Sequence, residues 1–302
     1  MASTSAAPAA PPSLVKSWAL AIRPKTLAAG MVPVFVGTAL AADAGAFAAG
    51  PALAALAVAF LVQVGTNLAN DYYDFKKGAD NEDRLGPARA TQQGWISPNQ
   101  VLAGTAVVLA LAFVIGLYLT WVAGWPALAI GLVSIFFAVA YTGGPYPLAY
   151  HGLGDLFVLV FFGFVATAGT YYVQAMTVTP AVFLAAAPVG LIATAILVVN
   201  NLRDRHTDAA ADKRTLAVRF GQRAARVEYT VLIAAAYLAP IVAVVTGWGG
   251  WGWLLPLVSL PLAVKNVRAI WTTDGAPLNP YLGATAKLEM VFGLLLSVGV
   301  LL

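Results

Sequence analysis

Two polar stretches of this sequence concentrate residues that bind hard cations. The first runs Asn67-Leu68-Ala69-Asn70-Asp71-Tyr72-Tyr73-Asp74-Phe75-Lys76-Lys77-Gly78-Ala79-Asp80, followed by Asn81, Glu82, Asp83 and Arg84. The second runs Asn200-Asn201-Leu202-Arg203-Asp204-Arg205-His206-Thr207-Asp208, then Asp212, Lys213 and Arg214. On a helix, the spacings Asp71/Asp74 and Asp204/Asp208 place each pair of carboxylates on one face. Like charges so placed repel, so each pair costs stability unless a cation lies between its members. Carboxylate and amide oxygens suit Mg²⁺, which takes one or two carboxylates together with phosphate oxygens. Lys76, Lys77, Arg84, Arg203, Arg205, Lys213 and Arg214 are interleaved with these acids and suit a diphosphate. Metal and basic side chains would stabilise charge on a departing diphosphate, and aromatic faces would stabilise an allylic carbocation left behind. Either stretch alone reads as a solvated connector. Their shared order of Asn, paired Asp and then basic residues argues that they form one site.

The elements that must position these residues follow from composition. The chain has 302 residues, 60% hydrophobic and 10% charged, with a mean hydropathy of +0.81. Soluble domains carry about 25% charged residues, so lipid is the expected solvent for most of the surface. The absence of cysteine excludes disulfides, thiolate zinc sites and thiol catalysis. Met1 to Ser13 are rich in Ala, Pro and Ser and lack the pattern of a cleaved signal. The expectation is a disordered tail over 1–17 and a single membrane-embedded domain over 18–302.

From Ala90 to Gly154 there is no charged residue, a run too long for one helix across about 30 Å of hydrocarbon. Turn signals at Gly124-Trp125-Pro126, Gly143-Gly144-Pro145 and Gly247-Trp248-Gly249-Gly250 divide the apolar runs. The result is an all-α integral membrane protein of about nine spans around a central cavity. Their expected limits are about 26–42, 51–69, 101–121, 126–142, 155–173, 181–199, 227–246, 251–271 and 284–302. Trp121, Trp125, Tyr171, Tyr172, Trp248 and Trp251 fall near expected span ends, as interfacial aromatics do. With the N-terminus inside, all 17 Lys and Arg residues fall on the inner side. Both acidic stretches then lie on that side, each after an even-numbered span, which hints at an internal four-helix repeat.

Other polar residues have competing readings. Lys25 suits an acceptor carboxylate or a positive-inside anchor, and Arg84 and Arg89 are alternatives for the carboxylate. Gln63 and Asn67 share a helical face and serve either the site or helix–helix hydrogen bonding. Tyr141, Tyr146 and Tyr150 surround the Gly143-Gly144-Pro145 break and either line the pocket or mark the interface. Asp155 reads as a helix cap. Gly116, Gly131, Gly163 and Gly169 read as close helix packing. His151 and His206 make no metal site.

At the two acidic stretches the chain resembles the UbiA superfamily of intramembrane prenyltransferases. That family carries Asn-Asp-x-x-Asp-x-x-x-Asp after its second helix and Asp-x-x-x-Asp after its sixth. Asn70, Asp71 and Asp74 match the first motif, and Asp204 and Asp208 match the second. Gly78 stands where the last acid of the first motif belongs, with Asp80 two residues on. Arg23-Pro24-x-Thr26-Leu27, Arg84-x-Gly86-Pro87-x-Arg89, Gly152-Leu153-Gly154-Asp155 and Lys213-Arg214-Thr215-Leu216 are similar to the branch that prenylates 1,4-dihydroxy-2-naphthoate in menaquinone synthesis.

The resemblance implies a UbiA-type fold and transfer of a polyprenyl group from polyprenyl diphosphate to 1,4-dihydroxy-2-naphthoate. CO₂ and diphosphate would be lost, giving demethylmenaquinone. It implies Mg²⁺ held by Asp71, Asp74, Asp204 and Asp208 with Asn67, Asn70 and Asn201. Arg203, Lys213, Lys77 and Arg214 would bind diphosphate. Lys25, Arg84, Gln63, Tyr141 and Tyr150 would meet the acceptor. The expected setting is a bacterial inner membrane, with site and N-terminus cytoplasmic. The alternatives are another aromatic acceptor (4-hydroxybenzoate or homogentisate) and a transporter of an anionic lipid. A transporter usually places ionisable groups near the membrane midplane, whereas the paired acids here lie at one edge. A purely structural membrane protein would tolerate neutralisation of all four. The basic residues follow membrane topology, so nucleic acid is not an expected partner.

Overall fold

The computed structural model describes residues 12–302 except residue 83; the side chains of residues 25, 26 and 28 stand outside that description. The expected tail therefore falls mostly outside the described residues, as does the role expected of the Lys25 side chain. Residues 14–17 belong to a short helix, α1 (Leu14–Ala21), whose first turn is capped by Ser13.

Helices α2 (Pro24–Asp43), α3 (Ala49–Lys76), α4 (Pro98–Ala123) and α5 (Trp125–Ala140) follow. Ser97 and Gln100 form a capping box at the start of α4. Gly124, at φ +75°, separates α4 from α5, and Pro126 lies in the first turn of α5. A 3₁₀ turn at Leu148–His151 leads into α6 (Gly154–Val158), a π-helical stretch (Leu159–Val165) and α7 (Ala166–Ala175). These three form one continuous span, Gly154–Ala175. The chain continues through α8 (Pro180–Ala210), α9 (Leu216–Val245), a 3₁₀ stretch (Trp251–Ser259) with α10 (Leu260–Thr272), and α11 (Asn279–Val300).

Among the described residues, seven helices are long and apolar enough to cross a membrane, and two shorter apolar helices cover Ala29–Asp43 and Trp125–Ala140. Together they fall on the nine expected segments. Ridges of small and branched residues hold the bundle. Val36, Val189, Ile192, Leu202, Tyr229 and Phe292 join α2, α8, α9 and α11 in the main buried cluster. At the α8 crossing of the Gly154–Ala175 span, a Cβ on Gly163 would lie 2.8 Å from the Gly190 Cα, so only glycine permits this approach. Outward faces carry exposed Val107, Val114, Phe136, Val231 and Val258, consistent with lipid as their solvent. Trp121, Trp125, Trp248 and Trp251 are exposed near span ends, but Tyr171 is buried in the main cluster and is no interfacial anchor.

Helices α3 and α4 form one close antiparallel pair, and α8 and α9 the other. Each pair turns at an acidic stretch, so both stretches and the 141–153 and 272–279 segments converge at one end of the bundle. The turns at the other end, near residues 44–48, 124, 176–179 and 246–250, contain no Lys or Arg.

Candidate active site

Both acid-bearing helices end in the same way. Four residues beyond Asp74, Gly78 adopts φ +71°; four beyond Asp208, Asp212 adopts φ +53°. A left-handed residue here stops the helix and turns the chain back over its last turn. On α3, the Ala79 and Asp80 amides both donate to the Asp74 carbonyl, at 3.0 and 3.3 Å. On α8, the Lys213 amide donates to the Asp208 carbonyl at 2.8 Å. Position 78 is thus a helix stop, which glycine fills without strain, while Asp212 fills its counterpart on α8. Asp80, two residues on, folds back into the cluster and pairs with Arg84 and with Arg89, the latter at 3.0 Å.

The two ends meet through Tyr150 and Lys213. The Tyr150 hydroxyl donates to Asp74 Oδ1 at 2.9 Å. The ammonium groups of Lys77 and Lys213 lie 4.5 and 5.6 Å from the Tyr150 ring centre. Lys213 Nζ also lies 3.5 Å from Asp208 Oδ1. Burial alone would lower the Lys213 pKa, but Asp208, Asp74, Asp204 and Asp80 together raise it. This lysine therefore feels acids from both stretches. Burial, opposed by the Asp74 carboxylate, lowers the pKa of Lys77, whose ammonium donates to the Thr142 carbonyl at 2.8 Å. Burial pushes the Asp80 carboxyl up to about 6 against the pull of Arg84. Burial and Asp74 raise the Tyr150 hydroxyl, which stays protonated and able to donate.

The remaining acids differ in how fully they are paired. Arg203 is completely buried and grips Asp204 in a fork, at 2.7 Å from Nε to Oδ1 and 2.5 Å from Nη2 to Oδ2. Its other bonds go to Asn279 and Asn200, at 2.8 and 2.7 Å. Gly86 packs on this guanidinium so closely that a Cβ there would lie 2.6 Å from Nη2. Asp71 Oδ1 receives the Thr91 amide at 3.4 Å, while Asp71 Oδ2 and Asp208 Oδ2 are buried without a hydrogen-bond partner. Among the described residues no three acidic or imidazole groups form a ready-made cluster. The donor set nonetheless fits a hard divalent cation: two buried carboxylate oxygens lack any donor, and amide oxygens stand nearby.

Above this polar end lies a cavity of ≈ 350 Å³. Asn67, Asn70, Asp74, Arg89, Asn201 and Lys213 line its mouth; Phe137, Phe157, Phe161 and Phe162 line its depth. Gln63 and Tyr141 also face the cavity. Asn70 Oδ1 accepts from the Thr142 hydroxyl at 2.8 Å, and the Asn67 amide donates to the Ile22 carbonyl at 2.9 Å. The π-helical stretch lies in the aromatic wall, a distortion often found at functional sites.

Of the expected residues, the structure places Asp74, Asn67, Asn70, Asn201, Lys213, Gln63 and Tyr141 in the cavity lining, while Asp71, Asp204, Asp208, Lys77, Arg84 and Tyr150 lie at the same end of the bundle without lining it. It places Arg214 elsewhere: that side chain is 67% exposed and paired with Asp212. It directs Arg203 to Asp204 and away from the cavity mouth. Asp155 makes no side-chain cap hydrogen bond; it lines the cavity. Gly116, Gly131 and Gly169 line the cavity; of the four, Gly163 alone meets another helix's backbone, while a Cβ on Gly169 would only touch the Ile130 side chain of α5, at 3.8 Å. Thr142 and Asn279 had no sequence signal of their own.

The model of the UbiA prenyltransferase family matches residues 30–282. The chain belongs to this family. It is 39% identical over 298 residues to the 1,4-dihydroxy-2-naphthoate octaprenyltransferase of Escherichia coli, covering 96% of each chain. It is likewise 39% identical to the enzyme of that name from Mycobacterium tuberculosis, covering 92% of this chain and 94% of that one. Among solved structures, the apo UbiA homolog from Aeropyrum pernix superposes with a TM-score of 0.69 at 17% identity, covering 90% of this chain and 96% of that one. The UbiA homolog from Archaeoglobus fulgidus bound to DMAPP and Mg²⁺ gives 0.63 at 15% identity, covering 93% and 99%. The UbiA fold therefore frames the cavity and both acidic helix ends.

Proposed function

We propose that this chain transfers a polyprenyl group from polyprenyl diphosphate to 1,4-dihydroxy-2-naphthoate, with loss of CO₂ and diphosphate. The reading rests on one observation above all: two acid-bearing helix ends meet at the mouth of an apolar cavity, where Lys213 pairs with Asp208 and stands over the ring of Tyr150, whose hydroxyl donates to Asp74. The acceptor is assigned from the relatives, which carry that activity in their names across nearly the whole length of this chain. The domain over 18–302 lies in a bacterial inner membrane with this mouth and the N-terminus toward the cytoplasm, as the basic residues favour.

Mg²⁺ is the fitting cation; when bound it neutralises diphosphate charge and favours its departure. Asp71, Asp74, Asp204 and Asp208, with Asn67, Asn70 and Asn201, are the residues that would hold it. Lys213 and Lys77 take the diphosphate oxygens, being the ammonium groups that already stand at the mouth. Arg203 acts one step back: it fixes both oxygens of the Asp204 carboxylate and so keeps that acid oriented. Tyr150 orients Asp74 in the same way. The isoprenoid tail runs into the aromatic depth of the cavity, where ring faces stabilise the allylic cation. The acceptor ring sits beside the allylic carbon that joins tail to diphosphate, next to Tyr141 and Gln63, with Arg84 or Arg89 answering its carboxylate. The immediate product is the quinol form of demethylmenaquinone, because no oxidant enters the step.

The test is turnover by the purified chain with carboxyl-labelled 1,4-dihydroxy-2-naphthoate and a polyprenyl diphosphate. Mg²⁺-dependent release of labelled CO₂ with formation of a prenylated naphthoquinol is expected. Turnover of 4-hydroxybenzoate or homogentisate in its place would overturn the acceptor and keep the reaction class.

A further inference from the structure

The wall between the polar mouth and the aromatic depth carries one acid that the diphosphate chemistry does not use. Asp155 lines the cavity yet belongs to neither acidic stretch. It is 7% exposed, and its Oδ1 is buried with no hydrogen-bond partner. A buried carboxylate oxygen without a donor loses its solvation uncompensated, so a structural role alone explains it poorly.

Local sequence fixes its position. Gly152 takes φ +74° after the 3₁₀ turn, and Gly154 passes so close to Tyr141 that a Cβ would lie 2.9 Å from the Tyr141 hydroxyl oxygen. The chain can therefore press against Tyr141 before Asp155 enters the wall. Phe157 and Phe161, two and six residues further on, lie in the same wall. The acid thus stands beside Tyr141, where the acceptor ring was placed above, and next to the aromatic floor.

We infer that Asp155 is the base that takes the hydroxyl proton of the aromatic acceptor. This inference rests on the prenyl-transfer reading. The proton passes from the ring hydroxyl to the Asp155 carboxylate as the adjacent ring carbon, which bears the carboxylate, bonds to the allylic carbon. The allylic C–O bond breaks and its electron pair leaves with diphosphate. The ring carboxylate then departs as CO₂, leaving its electron pair in the ring, and Asp155 returns the proton to the ring oxygen. No oxidant or further proton is required. An ionised hydroxyl makes the neighbouring ring carbon a stronger nucleophile, and positioned bases of this kind contribute about 10²–10⁴-fold.

The experiment compares wild type with D155N and D155E in full-length detergent-solubilised protein. It reads prenylated product, total diphosphate release and polyprenol, together with the KM for each substrate. D155N is expected to lose at least about 100-fold in acceptor coupling. Its KM for polyprenyl diphosphate should stay within about threefold, and diphosphate release should continue with water as acceptor, giving polyprenol. D155E retains a carboxylate and is expected to recover coupling to within about tenfold of wild type, with a shifted acceptor KM; it also serves if D155N does not fold. Coupling by D155N at the wild-type rate overturns the inference. So does a folded D155N that loses diphosphate release in parallel with coupling, because the residue would then act at the other substrate. If wild type prenylates a different phenol, the acceptor assignment falls, and the same comparison on that phenol decides Asp155.

Discussion

Arg203 shows how a residue's type can be legible while its partner is not. A basic residue beside an acidic pair suggests a diphosphate ligand, yet its donors go to Asp204, Asn200 and Asn279. The planar fork matters here because lysine cannot hold both carboxylate oxygens in one plane. Breaking a buried pair by removing one partner typically costs about 3–5 kcal/mol. Arg203→Ala is expected to lower the thermal midpoint strongly. Arg203→Lys is expected to fold and bind polyprenyl diphosphate at least about tenfold more weakly, since Asp204 is left loosely held. Calorimetric unfolding and diphosphate binding check both. Near-native binding by Arg203→Lys would show that the fork is not needed. Asn279 lies 76 residues along the chain from Arg203. No spacing rule reaches that far, which is why this contact was invisible before the helices were packed.

At the scale of elements, helix ends and helix faces carry the account. The left-handed stops at Gly78 and Asp212 turn both acidic helices back on themselves, placing Asp80 and Lys213 inside the cluster. The departure at Gly78 was visible in the sequence, but the helix stop it forms was not, because a missing acid and a turn look alike there. The glycines were misjudged for a related reason. A glycine in a span signals that something comes close, without saying whether it is another helix or a substrate. Gly163 meets Gly190, whereas a Cβ on Gly116 or Gly131 would meet nothing within 4 Å and faces the cavity. A large residue at Gly131 should therefore shorten the usable cavity and leave the fold intact. Gly131→Phe is expected to keep turnover with a short allylic diphosphate and to lose about tenfold or more with a long one. Product formation with a ladder of isoprenoid lengths checks this. Equal losses at every length would place Gly131 away from the tail path.

For the whole molecule, the physics of the bilayer made most of the architecture readable. Span limits followed from hydrocarbon thickness, and among the described residues the seven long and two shorter apolar helices fall on the expected segments. Every Lys and Arg was expected at one end of the bundle, and the turns at the far end contain neither. What remained unreadable was convergence: Tyr150 with Asp74, Thr142 with Asn70, and Asp155 in the cavity wall each require the packed bundle. The central claim belongs to this scale, since it holds that two distant acidic stretches act as one site. The most direct measurement is calorimetric titration of polyprenyl diphosphate into the full-length protein with Mg²⁺, for wild type, Asp71→Asn, Asp208→Asn and the double variant. The account predicts that each single substitution weakens Mg²⁺-dependent binding at least about tenfold, with the double variant losing clearly less than the sum because both acids serve one bound group. Wild-type affinity in either single variant, or strictly additive losses, would contradict it.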